Sequence, residues 1–242
     1  MSVFRDRVVG KRGWTSLHRA AALNRVDDLR REAGAGGVDC QEDHFRMTPL
    51  HVAADMGNLA CVEALITLGA DPKLPMCAGL TPLHAASRHG RTACVRALLR
   101  AGADVNSESL DPCTPLILAA GSGSVETCIA LISAGADINY TNNYFVRPFS
   151  SALGQGHRRL LPVLLEAGAT SDARGVDRWE GNVSAWLYVD TITKSGGYKA
   201  RVKKHRRILT GYIKKLQSQE GRRLPDDVAP HVLSFWTPPG GY

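Results

Sequence analysis

The 242-residue chain has no run of 18 apolar residues, so nothing in it reads as a membrane-spanning helix. The stretch from Met1 to Trp14 is basic, with Arg5, Arg7, Lys11 and Arg12, but holds no apolar segment long enough for a secretory signal. Pairing motifs for cysteine are missing as well. Cys40, Cys61, Cys77, Cys94, Cys113 and Cys128 include no C-x-x-C pair and no spacing suited to a metal. Cys61 and Cys94 stand 33 residues apart in apolar helical runs. They read as small buried hydrophobes in a reducing compartment, which points to the cytosol or the nucleus. No Walker loop, H-E-x-x-H helix or nucleophile elbow occurs. Glycine-rich pieces at 34–37 and 121–123 lack a following Lys-Ser/Thr and read as turns. The expectation is a protein without catalytic residues, cofactor or metal.

Acidic residues are nearly absent from one segment. From Lys194 to Arg223 eleven Lys and Arg meet one acid, Glu220, a local balance of +10 within a chain of net charge +7. The remainder is therefore −3, and two regions with different tasks are implied.

What is abundant is repetition. Thr48-Pro49-Leu50-His51-Val52-Ala53-Ala54 returns as Thr81-Pro82-Leu83-His84-Ala85-Ala86, and more weakly as Thr114-Pro115-Leu116-Ile117-Leu118-Ala119-Ala120. Looser copies start at Thr15 and Arg147, so the starts are 15, 48, 81, 114 and 147, a constant step of 33. A period of this length marks stacked helix pairs, each burying its apolar face on its neighbours. Thr can cap the first helix, and Pro suits its first position because it has no N–H to leave unpaired. The alanines keep that helix thin. Gly57, Gly90, Gly123 and Gly156 are expected to end it in the left-handed conformation. A second helix follows, with apolar positions Cys61, Val62, Leu65 and Ile66; Cys94, Val95, Leu98 and Leu99; and Cys128, Ile129, Leu131 and Ile132. Gly-Ala-Asp at 69–71, 102–104 and 135–137 ends this helix and opens a turn-rich finger.

These features together resemble the ankyrin repeat family over residues 11–175, most specifically in units two to four. The resemblance implies an all-α solenoid of antiparallel helix pairs with β-hairpin-like fingers, and a concave face that binds other proteins. Five units are expected at 11–43, 44–76, 77–109, 110–142 and 143–175, after an arm at 1–10. The outer units are atypical: unit one reads Gly34-Ala35-Gly36-Gly37 where Gly-Ala-Asp belongs, and unit five has Phe149-Ser150 for Leu-His. The resemblance also implies that His18, His51 and His84 hydrogen-bond along the stacked turns, a structural role rather than a catalytic one. Ile117 and Ser150 interrupt the series.

A partner would be read by residues that the fold does not dictate. At the ends of the first helices these are Asp55, Met56, Arg88, His89 and Ser122, expected on the concave face. Two fingers stand out. One carries Lys73, Leu74 and Met76 in a stretch stiffened by Pro72 and Pro75; the other carries Tyr140, Asn143, Tyr144 and Phe145. Aromatic and Met side chains bury much area at low entropic cost, as binding sites require. The alternative for Tyr140 and Phe145 is packing against the fifth unit. The partner expected is another protein, with no membrane, and nothing demands more than a monomer.

The step laid past Arg147 reaches Glu180. Residues 176–220 read as a degenerate sixth unit or helical cap, in which Trp179 and Trp186 fill space and Tyr198, Val202, His205, Leu209, Tyr212 and Leu216 share one face. The other face carries Lys199, Lys203, Lys204, Arg206, Arg207 and Lys214. A solvated face, an import signal and an RNA-binding strip are the three readings. The strip lacks an aromatic stacking platform, which argues against nucleic acid. Residues 221–242 resemble the opening of an F-box through Leu224, Pro225, Val228, Val232, Leu233, Phe235 and Trp236. That likeness implies docking onto a ubiquitin-ligase component and an adaptor role; the alternative is a tail that seals the last repeat.

Overall fold

The computed structural model describes residues 13–33 and 37–170. Among these residues there are ten α-helices and no strand. They come in five pairs: α1 Ser16–Ala22 with α2 Val26–Glu32, α3 Pro49–Met56 with α4 Leu59–Thr67, α5 Pro82–Arg88 with α6 Thr92–Arg100, α7 Pro115–Ser122 with α8 Val125–Ser133, and α9 Pro148–Gly154 with α10 Leu160–Glu166. None exceeds nine residues, so none would persist alone in water. Stability comes from stacking. The first helices pack in one layer, α1 on α3 on α5 on α7 on α9, and the second helices pack in a parallel layer from α2 to α10.

The core repeats with the sequence. Leu17, Leu50, Leu83, Leu116 and Phe149 occupy one buried register of the first layer. Leu65, Leu98, Leu131 and Leu164 occupy one of the second. Each buried leucine contributes about 2 kcal/mol over exposure. Ala53, Ala54, Ala86, Ala119 and Ala120 are fully buried between neighbouring first helices, where a larger side chain would force the layers apart. The helix-ending glycines adopt the expected left-handed backbone, as at Gly57 with φ +80° and Gly123 with φ +73°.

Two local expectations change. In α8 the position equivalent to Cys61 and Cys94 is Thr127, not Cys128, and Ile129 is exposed. The Thr127 hydroxyl is satisfied at 2.8 Å by both Thr92 Oγ1 and Ser124 Oγ, which is how a polar group survives in that layer. The fingers also lack a β ladder. Turn bonds close them instead: Glu42 N to Met47 O, Met76 N to Leu80 O, Ser109 N to Cys113 O and Asn142 N to Val146 O, with inner bonds from Arg46 N to Glu42 O, Gly79 N to Met76 O and Phe145 N to Asn142 O. Adjacent fingers are joined by Cys77 N to Phe45 O at 2.8 Å and Leu110 N to Ala78 O at 2.9 Å. One bond per junction is too few to make a sheet.

Candidate functional site

The repeated histidines come first, because their chemistry decides what kind of site this molecule can hold. His18, His51 and His84 are fully buried. Each Nε2 lies 2.8–3.0 Å from a carbonyl of the following finger, belonging to Met47, Leu80 and Cys113. A carbonyl only accepts, so Nε2 carries the proton and Nδ1 is left as an acceptor. Nδ1 then takes the hydroxyl of the helix-capping threonine at 2.8–2.9 Å, from Thr15, Thr48 and Thr81. The backbone N–H of the same threonine points at Nδ1 too, at 3.1–3.3 Å. Burial lowers the pKa of all three rings, with the carbonyl bonds opposing, and His51 falls to about 4. Each ring is therefore neutral, saturated and shut away from solvent. It clamps its unit to the next finger and has no lone pair left for a metal or a substrate.

A second set of clamps was not visible in the sequence. The residue after the helix-ending glycine reaches back to the carbonyl end of the preceding first helix. Asn58 Nδ2 donates to Ala21 O at 2.7 Å, Arg91 Nε to Asp55 O at 3.4 Å, and the His157 Nε2 donates to Gly121 O at 2.9 Å. A third set runs along the finger bases. Asn106 accepts from Asp137 N and donates to Gly135 O, while Asn139 accepts from Thr170 N and donates to Gly168 O. Asp39 does the same work for Asp71 N. The repeat positions are thus consumed by stacking, and only the exposed, non-repeating positions remain for recognition.

The surface residues singled out from sequence fall into two groups. Met56, Arg88, His89 and Ser122 are exposed and Asp55 is half-exposed at the C-terminal ends of α3, α5 and α7. Asp55 and His89 are brought together across units two and three, with His89 Nε2 at 3.0 Å from Asp55 Oδ1. Ser122 bonds its own helix at Ala119 O. Lys73, Asn143, Tyr144 and Phe145 are exposed, and Leu74 and Met76 half-exposed, in fingers that precede the N-termini of the first helices. A helix of seven or eight residues, about 10–12 Å, separates the two groups.

Phe145 of the aromatic finger is not packed against the fifth unit: it is 72% exposed and Tyr144 58% exposed, whereas Tyr140 is half-buried, and Phe145 takes a left-handed φ of +60°. The nearby Asp111 carboxylate pushes the Tyr144 phenol up, and burial, then the nearby Glu108, push up that of Tyr140. Sequence reasoning missed Phe45 and Leu110, exposed on fingers one and three at 57% and 77%. The signal available was an apolar residue in a turn otherwise built of Ser, Asp and Glu. Lys199, Lys203, Lys204, Arg206, Arg207 and Lys214, and the tail from Leu224 to Trp236, lie outside the described residues, as does the sixth unit.

Among the described residues no cluster of His, Cys, Asp and Glu could hold a metal, and no helix is long and apolar enough to cross a membrane. The architecture defines a class: a helix-pair repeat stack whose motif residues are structural and whose variable surface recognises other proteins. Two family models match the chain, ankyrin repeats in three copies over residues 17–109 and a single ankyrin repeat over 113–143, together just over half of its length. The chain belongs to the ankyrin repeat family. It is also similar to ankyrin repeat domain-containing protein 13B of Mus musculus and of Homo sapiens, 40% identical over 63 residues in each case. That match covers 26% of this chain and only 10% of those proteins.

Proposed function

We propose that this chain is a non-enzymatic scaffold or adaptor that holds a partner protein on the concave side, on the surface formed by its fingers and first helices. One observation carries the reading. The residues that repeat are buried and saturated by hydrogen bonds, whereas Met56, Arg88, His89, Tyr144 and Phe145 are exposed and differ from unit to unit. Six free thiols, with Cys61 pushed up to about 11 and Cys128 to about 12 by burial, support a reducing compartment such as the cytosol or nucleus. The test is site-specific photo-cross-linking in cells. A benzophenone side chain at Tyr144 or Met56 should give discrete adducts with a partner, and one at Arg96 on the second-helix layer should not. Equal adducts from all three positions would remove the surface from consideration. The ligase-adaptor reading rests on the Leu224–Trp236 likeness. It predicts that ligase components are captured by the full chain and lost from a 1–220 truncation.

A further inference from the structure

Four of the exposed large apolar side chains among the described residues, Phe45, Leu110, Tyr144 and Phe145, sit on the fingers. They do not stand apart from one another. Phe45 O accepts from Cys77 N and Ala78 O accepts from Leu110 N, and Tyr144 of finger four lies near the carboxylate of Asp111, the residue after Leu110. Fingers one to three are therefore joined by backbone bonds, and finger four follows them along the same edge. Helix layers pack about 10 Å apart, so the edge from finger one to finger four runs about 30 Å. Nine or ten extended residues at about 3.3 Å each span that length.

The rim of this edge is acidic. Segments 37–47, 69–80, 102–113 and 135–147 hold eight acids, among them Asp43, Asp104, Glu108 and Asp111, against Arg46, Lys73 and Arg147. Arg147 spends its guanidinium on Thr141 and Thr170, and Arg46 bonds Gln41. A surface with aromatic and aliphatic knobs set among carboxylates is complementary to apolar anchors interleaved with cations.

Resting on the protein-binding reading above, we propose that the finger edge through Phe45, Leu110, Tyr144 and Phe145 is the docking edge. Its occupant is an extended partner segment in which Leu or Phe anchors alternate with Lys or Arg. The anchors pack on the knobs, and the cations face Asp43, Glu108 and Asp111.

The experiment uses the full chain and two fluorescein-labelled peptides of about 12 residues. One repeats Lys-Leu-Lys-Phe and the other repeats Glu-Leu-Glu-Phe, so the apolar pattern is shared. Anisotropy titration should show the basic peptide binding at least about tenfold more tightly than the acidic one, about 1.4 kcal/mol. Affinity should fall as salt rises from about 50 to about 300 mM. The L110S/F145N double variant should lose about tenfold or more. Phe145→Asn is chosen because asparagine tolerates the left-handed φ. Far-UV circular dichroism verifies that the variant is folded. Arg96→Ala, on the second-helix layer, should bind like the wild type. Equal binding of the two peptides, no binding of the basic one, or full affinity in the tip variant would overturn the proposal. Loss in a Met56→Ala/His89→Ala variant with L110S/F145N unaffected would overturn it while leaving the broader protein-binding reading intact.

Discussion

Mild acid should loosen the repeat stack by a predictable amount, and His51 is the residue that sets it. In the unfolded chain its imidazole titrates near 6.5; in the folded chain burial holds it down to about 4. The folded value is depressed, so the unfolded chain binds the proton more readily. The stabilisation is complete above about pH 6.5 and is lost progressively as pH falls toward 4. Between pH 7 and pH 5 this one group removes about 2 kcal/mol. His18 and His84 shift in the same direction and add to the loss. Geometry gives the same sign. A second proton must go onto Nδ1, where the Thr48 N–H already donates at 3.2 Å, and two donors would then face each other. His18 and His84, the nearest like groups, lower it further. The control is already in the sequence: unit four carries Ile117, buried at the equivalent register. His51→Ile should therefore fold, and its stability should fall less with acid. The assay is urea unfolding followed by helical circular dichroism at pH 7 and pH 5, for wild type and variant. The wild type is expected to lose about 2 kcal/mol more than the variant. Identical losses would mean that His51 titrates normally in the folded chain, and the buried-clamp account would fail.

Ser87 occupies the register of Ala54 and Ala120, is fully buried, and its hydroxyl lacks a hydrogen-bond partner. Ser87→Ala should stabilise the chain by about 1 kcal/mol, read as a higher urea midpoint at unchanged slope; a lower midpoint would show that the hydroxyl is satisfied. Gly79 and Gly69 both have positive φ, +73° and +92°, but a Cβ on Gly79 would meet Leu110 N at 2.7 Å, whereas one on Gly69 meets nothing. Gly69→Ala should cost about 1 kcal/mol from backbone strain alone. Gly79→Ala should cost at least about 1 kcal/mol more and raise hydrogen exchange at the Leu110 amide, because backbone cannot step aside as a side-chain tip can. Equal costs would refute the close approach of fingers two and three.

The helices and their ends were legible because they depend on residues with one physical use. Proline can only open these helices, glycine alone enters the left-handed turn without strain, and a buried leucine every 33 residues can only be core. What escaped has a different character. The caps at Asn58, Arg91 and His157 share a role but not a chemistry, since any side chain with a suitably placed donor can reach the free carbonyls of the preceding helix. Asp39 was hidden because finger one holds an extra residue. Its closing bond runs from Glu42 to Met47, five residues, where the next runs from Met76 to Leu80, four. Glu42 itself is buried and takes the N–H groups of His44 and Phe45 inside that finger, which hold its carboxyl below the usual range. Apolar spacing also misassigned Ile129, because a Thr satisfied by two hydroxyls can take a core position that periodicity reserves for hydrophobes.

The place where the repeat rule fails coincides with the surface most suited to binding. In units one to three a histidine reaches forward and fixes the base of the following finger. In unit four that residue is Ile117, so no histidine holds the finger that carries Tyr144 and Phe145. This finger is organised from within instead. Asn142 Oδ1 accepts from Tyr144 N at 3.0 Å and Val146 N at 2.8 Å, and Arg147 ties Thr141 to Thr170. Its shape is thus set by its own residues and by the next unit, and no longer by the helix behind it. This finger carries three aromatics, Tyr140, Tyr144 and Phe145, where finger one carries Phe45 alone. Local sequence that departs from the demands of the fold, yet remains fully hydrogen-bonded, is where function is expected to be written. The Ile117 substitution is therefore more informative than the histidines it interrupts: they report how the stack coheres, and their absence falls at the finger on which the proposed docking edge ends.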